Sequence, residues 1–184
     1  MQAAAGAALT PEGDLAAADA PRRLTLLAVV ALVGWGVDVA TKVAAVGLLT
    51  GRDPVQLVPG VLTLTLTRNP GAAFSVATSM TAVLTVVALG VVAAVLRLAG
   101  RIRSRVWAVA LGLLLGGALG NLTDRMLREP GPFRGHVVDF LQLPHWPVFN
   151  LADSCIVVAA VLIAVQSLRG AGLDGRHADH DDTT

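Results

Sequence analysis

Four long apolar runs, at about 24–49, 80–98, 106–122 and 151–168, constrain this chain more than any other feature. A helix needs about 20 apolar residues to cross roughly 30 Å of hydrocarbon, and each run meets or approaches that length. Inside a bilayer no water reaches backbone N–H and C=O groups, so each run must close its hydrogen bonds within itself, as a helix. Composition agrees. Of 184 residues, 54% are hydrophobic and 15% charged, whereas a soluble domain carries about 25% charge. Too little polar surface exists to clothe a water-soluble core. The expected fold is an α-helical membrane protein with four transmembrane helices in one unit, 22–169.

The segments between the spans differ in character. Residues 50–79 contain Val61-Leu62-Thr63-Leu64-Thr65-Leu66-Thr67, an apolar/Thr alternation of period two that predicts a strand. Pro54, Pro59–Gly60 and Pro70–Gly71 punctuate it as turns, so a small β-sheet on the membrane surface is expected there. Residues 123–150 carry Pro130, Pro132, Pro144 and Pro147 with Trp146 and Phe149. They predict a loop or short helix at headgroup level, where Trp is favoured. Residues 1–21 and 170–184 read as disordered tails. The first has no cleavable secretory signal, because no small-residue site follows the apolar run after Arg22–Arg23.

Charge sets the orientation. Arg97, Arg101, Arg103 and Arg105 crowd the hinge between spans two and three; Arg22 and Arg23 precede span one, and Arg169 and Arg176 follow span four. The other side carries Arg52, Arg68, Arg125, Arg128 and Arg134. Basic loops stay cytoplasmic, so both termini are expected inside and both long segments outside. The net formal charge of +1 excludes a nucleic-acid partner of the electrostatic kind. Cys155 is the one cysteine, so no intramolecular disulfide is possible; on an apolar span it reads as a packing residue.

The polar residues that could carry chemistry converge on the outer side. They are Asp38, Lys42, Asn69, Asn121, Asp124, Arg125, Asp139, Asn150 and Asp153. Charge near hydrocarbon is costly and marks function by default. Asp139 stands in the apolar run Val137-Val138-Asp139-Phe140-Leu141, and Asp153 starts span four. Two carboxyls brought together share one proton, and such a pair can activate water and protonate a leaving amine. The competing reading has Asp153 capping its helix and Asp139 pairing with Arg134 or His136. Asp38 and Lys42, at i and i+4, meet on one helix face as a structural pair. Asp124–Arg125 reads as an ion pair holding the loop, and Asn150 as a cap or an orienter of Asp153. Gly116, Gly117 and Gly120 read as helix packing. A zinc site of His136, Asp139 and His145 has no supporting motif, so neither metal nor cofactor is expected.

Five blocks carry a family resemblance. They are Asp38-x-x-x-Lys42, Asn69-Pro70-Gly71-Ala72-Ala73-Phe74, Gly116-Gly117-Ala118-Leu119-Gly120-Asn121-Leu122-Thr123-Asp124-Arg125, His136-Val137-Val138-Asp139-Phe140 and Phe149-Asn150-Leu151-Ala152-Asp153-Ser154. In this order they resemble the signature of the bacterial lipoprotein signal peptidases (signal peptidase II). The resemblance implies an aspartic endopeptidase of the bacterial plasma membrane with Asp139 and Asp153 catalytic at the extracytoplasmic face. It implies diacylglyceryl-modified prolipoproteins as substrates, cut before the lipidated cysteine. Asn69, Gly71, Phe74, Asn121, Asp124, Arg125 and Asn150 would bind substrate or support the site. A monomer in contact with membrane lipid is expected, with the sheet and the 123–150 loop clamping the substrate from opposite sides. Two other classes compete. A small proton-coupled transporter would need polar stations through the full depth of the membrane, and a noncatalytic scaffold would leave the two acids unexplained.

Overall fold

The computed structural model describes residues 22–71 and 77–176, the side chains of 77–80 excepted. Helices α1 (Leu24–Leu49), α2 (Ala77–Ala99), α3 (Arg105–Leu127) and α4 (Leu151–Leu168) are each long and apolar enough to cross a membrane. Strands β1 (Val55–Val58) and β2 (Leu62–Asn69) lie between α1 and α2, and β3 (Val137–Gln142) between α3 and α4.

Helix α3 is the centre of the bundle. It packs against α1, α2 and α4, and half of its most apolar window is buried within the protein, against 11% for α2. Glycines make this possible. A Cβ at Gly116 would stand 2.7 Å from the Ala31 carbonyl oxygen of α1, and one at Gly117 would stand 2.6 Å from the Ala152 oxygen of α4. Only residues without side chains let three backbones approach this closely. The glycines expected to form one packing face therefore serve two neighbours. The lipid-facing residues of α1, α2 and α4, such as Val33, Val86 and Val161, remain exposed, as a bilayer solvent requires.

The sheet is antiparallel in the order β1-β2-β3. Residues 50–79 supply two strands, as expected. The third comes from the 123–150 segment, which was expected to be loop or short helix. Val137, Val138, Asp139 and Phe140 are all buried, so β3 shows none of the in/out alternation that marks a half-buried strand. The segment is divided: 137–142 joins the sheet, while Pro147 and Val148 line a cleft with Thr67 and Asn69 of β2. Helix α3 also runs past the expected end at 122 to Leu127. A bulge between Leu64 and Thr67 shifts the register by one residue, so Thr67 rather than Leu66 stands opposite Asp139.

At the far end, residues 170–176, expected as part of a tail, are tied to the α2–α3 hinge. The Leu173 oxygen accepts from Arg103 N at 2.9 Å and Ser104 N at 3.2 Å, and the Ala171 oxygen accepts from Trp107 Nε1 at 2.9 Å. Arg23 N donates to Ile102 O at 2.9 Å, and Ile102 is fully buried. The tail expectations for 1–21 and for 177–184 lie outside the described residues.

Candidate active site

The site forms where β3, the C-terminal half of α1, the last turns of α3 and the start of α4 meet. Asn150 precedes α4 in extended conformation and caps it. Its Oδ1 accepts from Asp153 N at 2.9 Å, while Asn150 N donates to Asp153 Oδ2 at 3.2 Å. This reciprocal capping box fixes the Asp153 carboxyl at the helix entrance. The Asn150 amide also turns outward: Nδ2 donates to Asp139 Oδ1 at 2.6 Å and to Asn121 Oδ1 at 3.2 Å. One side chain thus connects both acids. Capping and orienting Asp153, the two roles open to Asn150 in the sequence, are one arrangement.

Asp139 accepts on its other oxygen from Asn69 Nδ2 at 2.8 Å. Asn69 in turn accepts from Gly71 N at 2.8 Å, an Asx turn that locks the amide. Gly71 has φ +108°, a conformation that residues with a Cβ rarely adopt. Asp139 is bonded to these two amides and not to Arg134 or His136. Its residue is only 2% exposed, and this burial, with the charge of Asp153 adding to it, pushes its pKa up to about 6 against the donors that oppose the shift. Phe74, expected to cover the site, lies outside the described residues.

A second layer fixes the first. Lys42, 1% exposed, places its ammonium 2.8 Å from Asp38 Oδ2, 2.9 Å from Asn121 Oδ1 and 3.1 Å from Asp124 Oδ2. Asn121 Oδ1 accepts a hydrogen bond from the ammonium, and the two carboxylates pair with it as ions. Asp38 uses its other oxygen to accept from Ala152 N at 2.8 Å, so α1 satisfies an orphan donor of α4. Asn121 Nδ2 donates to Asp153 Oδ1 at 2.9 Å. Asp124 pairs with Arg128 and Lys42 and accepts from Val138 N at 3.1 Å, which anchors β3 on α3. The Asp124–Arg125 pair is therefore not formed: adjacent helical residues point in different directions, and the partner lies at i+4. Buried Arg125 has no carboxylate within ion-pair distance among the described residues, yet it lies within Coulombic reach of Asp153, Asp139 and Asp124.

Gly120 belongs to this layer too. A Cβ there would strike the Asp38 carboxylate, so its role goes beyond the helix packing assigned from sequence. The hub made by Lys42 joins Asp38 to Asn121 and Asp124 across more than 75 positions of chain; the i, i+4 spacing showed only its local partner. In all, four carboxyls (Asp38, Asp124, Asp139 and Asp153) meet three basic side chains (Lys42, Arg125 and Arg128).

A cleft of about 300 Å³ opens on Asp139 between β2 and the end of the 123–150 segment, with Thr67, Asn69, Pro70, Pro147 and Val148 in its walls. His145 lies elsewhere, in a separate cavity with Gln56 and Gln142. No group of three His, Cys, Asp or Glu suited to a metal ion occurs among the described residues.

Comparison with known proteins places the chain. A family model described as signal peptidase (SPase) II matches residues 30–169. The lipoprotein signal peptidase of Mycobacterium tuberculosis (strain ATCC 25618 / H37Rv) is 51% identical over 162 residues, covering 86% of this chain and 80% of that protein. The lipoprotein signal peptidase of Mycolicibacterium smegmatis is 52% identical over 163 residues, covering 88% and 69%. A solved bacterial membrane enzyme, determined by the in meso method at 1.9 Å, superposes with a TM-score of 0.68 at 27% identity, over 77% of this chain and 91% of its own.

Proposed function

The chain belongs to the signal peptidase II family, and from that premise we propose that Asp139 and Asp153 perform its peptide cleavage. Membership makes it a multi-pass membrane protease that removes signal peptides from prolipoproteins. The observation that carries the residue assignment is the Asn150 amide, which bonds Asp139 while its own backbone N–H bonds Asp153.

The chemistry follows from that link. Asp139, with its raised pKa, carries the proton of the pair. Asp153 takes a proton from water as the water oxygen attacks the scissile carbonyl carbon. The tetrahedral intermediate gains an oxyanion, and the buried Arg125 cation supplies a favourable field for it. Asp139 then gives its proton to the departing amine as the C–N bond breaks. The Asn69 and Asn150 donors hold Asp139 in place throughout, so little reorganisation is needed.

The finer substrate assignment is a diacylglyceryl-modified prolipoprotein cut before the lipidated cysteine. A membrane-level site suits it: acyl chains stay in lipid while the peptide enters the cleft beside Asp139. The distribution of arginines supports an extracytoplasmic site with both chain ends inside.

The test is cleavage of a synthetic prolipoprotein with and without the diacylglyceryl group by the purified protein. Asp139→Asn and Asp153→Asn should each lower kcat by about 10²–10⁴-fold. Full activity in either variant removes that residue from the mechanism. Equal rates on the unlipidated peptide would remove the lipid requirement.

A further inference from the structure

The lipid-facing side of the bundle carries a second built feature, which shares no lining residue with the cleft at Asp139 and ends at Leu151 and Ser154 of α4. At the start of α1, Arg22 and Arg23 stand over a pocket of about 450 Å³ whose floor is Thr25, Leu26 and Val29. Val29 also begins a second groove, of about 460 Å³, between α1, α3 and α4. Val29, Val33 and Val37 recur every four residues along one face of α1. Leu113, Cys155 and Val158 form the opposite wall. From the Arg23 cap to Val37 the path runs about 20 Å along the helix, enough to cover one leaflet of a roughly 30 Å core.

The ends of this path differ in polarity. The groove is walled almost wholly by apolar atoms, whereas its mouth is cationic. Arg23 is held there by its own backbone bond to Ile102 O at 2.9 Å and by Nε donating to Arg103 O at 3.4 Å. Among the described residues no carboxylate pairs with Arg22 or Arg23. Arg101, Arg103 and Arg105 add positive potential nearby, and Asp174 is the one described acid at this end.

We propose that this path is a binding site for one anionic glycerophospholipid, with its phosphate at Arg22 and Arg23 and an acyl chain along Val29, Val33 and Val37. Charge complementarity selects the headgroup: a cationic mouth that no acid among the described residues pairs attracts an anionic lipid over a zwitterionic one. The groove selects a lipid over free phosphate, which would use the mouth alone. Such a chain also wedges between α1 and α4, which meet each other far less than either meets α3. The lipid would thereby complete the packing of the helix that carries Asp153.

The experiment is native mass spectrometry of the full chain released from detergent micelles after delipidation. The probes are phosphatidylglycerol, phosphatidylcholine with the same acyl chains, and sodium phosphate. One phosphatidylglycerol should bind about thirtyfold more tightly than phosphatidylcholine, the preference expected from two arginines. Arg22→Gln combined with Arg23→Gln should erase that preference. Val33→Phe, which fills an exposed groove and leaves the core untouched, should lose the tight copy with both cations in place. Arg52→Gln, exposed beyond the opposite end of α1, should leave it unchanged. A preference that survives the Arg22/Arg23 double variant overturns the proposal. So does displacement by phosphate at the same concentration as phosphatidylglycerol. Unchanged phosphatidylglycerol binding by Val33→Phe, with a raised KM for lipidated substrate, would assign the groove to the substrate and overturn it as well.

Discussion

At the end of the bundle that holds Asp139, four carboxyls and three basic side chains pack together with Asn69, Asn121 and Asn150, and most of them are shielded from solvent. At the opposite end Arg97, Arg101, Arg105 and Arg169 point outward, exposed. The same kinds of group are handled in contrary ways. Buried charges are tolerable chiefly when they find partners of good geometry, so the first end is a bonded network of amides, carboxylates and Lys42 in which, among the described residues, Arg125 Nε is a donor left over. Exposed charges are hydrated and screened, so the second end needs no such bonding. A network of this kind can hold two acids in a fixed relation, and a solvated fringe cannot.

The sharpest way to break this comparison is to change one charge at each end. Asp153→Asn should lower activity by about 10²–10⁴-fold, with the protein still folded by circular dichroism. An equal loss in Arg101→Gln would mean that the outward arginines belong to the same machinery. Next in size is Lys42→Met. It leaves Asp38 and Asp124 buried without their cation, a change worth about 3–5 kcal/mol. Unfolding in micelles should show that loss, and a near-neutral result would mean that the lysine hub is not structural.

Acidity probes the same network more gently. Asp139 is raised from 3.8 in the unfolded chain to about 6 in the fold. A raised carboxyl stabilises the fold fully below the unfolded value and loses that contribution as pH climbs through the folded one. Between pH 4 and pH 7 this amounts to something on the order of 2 kcal/mol. Asp139→Asn should flatten that part of the stability–pH slope, whatever it does to the absolute stability. An unchanged slope would place the titration elsewhere. The smallest effect belongs to the far end: Arg97→Gln should leave the melting temperature within about 2 °C. A larger fall would make that fringe structural too.

The parts of the molecule that were legible in sequence are those whose partners are near in sequence or whose solvent is uniform. Four spans could be read because hydrocarbon imposes one rule on every residue in them. The Leu/Thr alternation announced β2, and the i, i+4 rule announced Asp38 with Lys42. What escaped was set by distant chain. Strand β3 hid because burial on both faces erased its periodicity. The Asp124–Arg125 pair was inferred from adjacency, whereas helix geometry sends Asp124 to Arg128 and to Lys42 on another helix. The last turn of α3 looked like loop because Asp124 and Arg125 are polar, yet Lys42 of α1 and Val138 of β3 supply partners for Asp124. Gly120 carried no local sign that its missing side chain makes room for the Asp38 carboxylate.

Asn150 leaves the chain little freedom to vary. Serine begins helices as readily as asparagine, but one hydroxyl proton cannot reproduce an amide that donates to two neighbours while its oxygen accepts from a third. Aspartate would also begin the helix, at the expense of a fifth negative group beside Asp139. Evolution of the enzyme toward other peptides must therefore proceed through the rim, at positions such as Thr67, Pro147 and Val148, because the hinge pin between fold and reaction accepts no replacement.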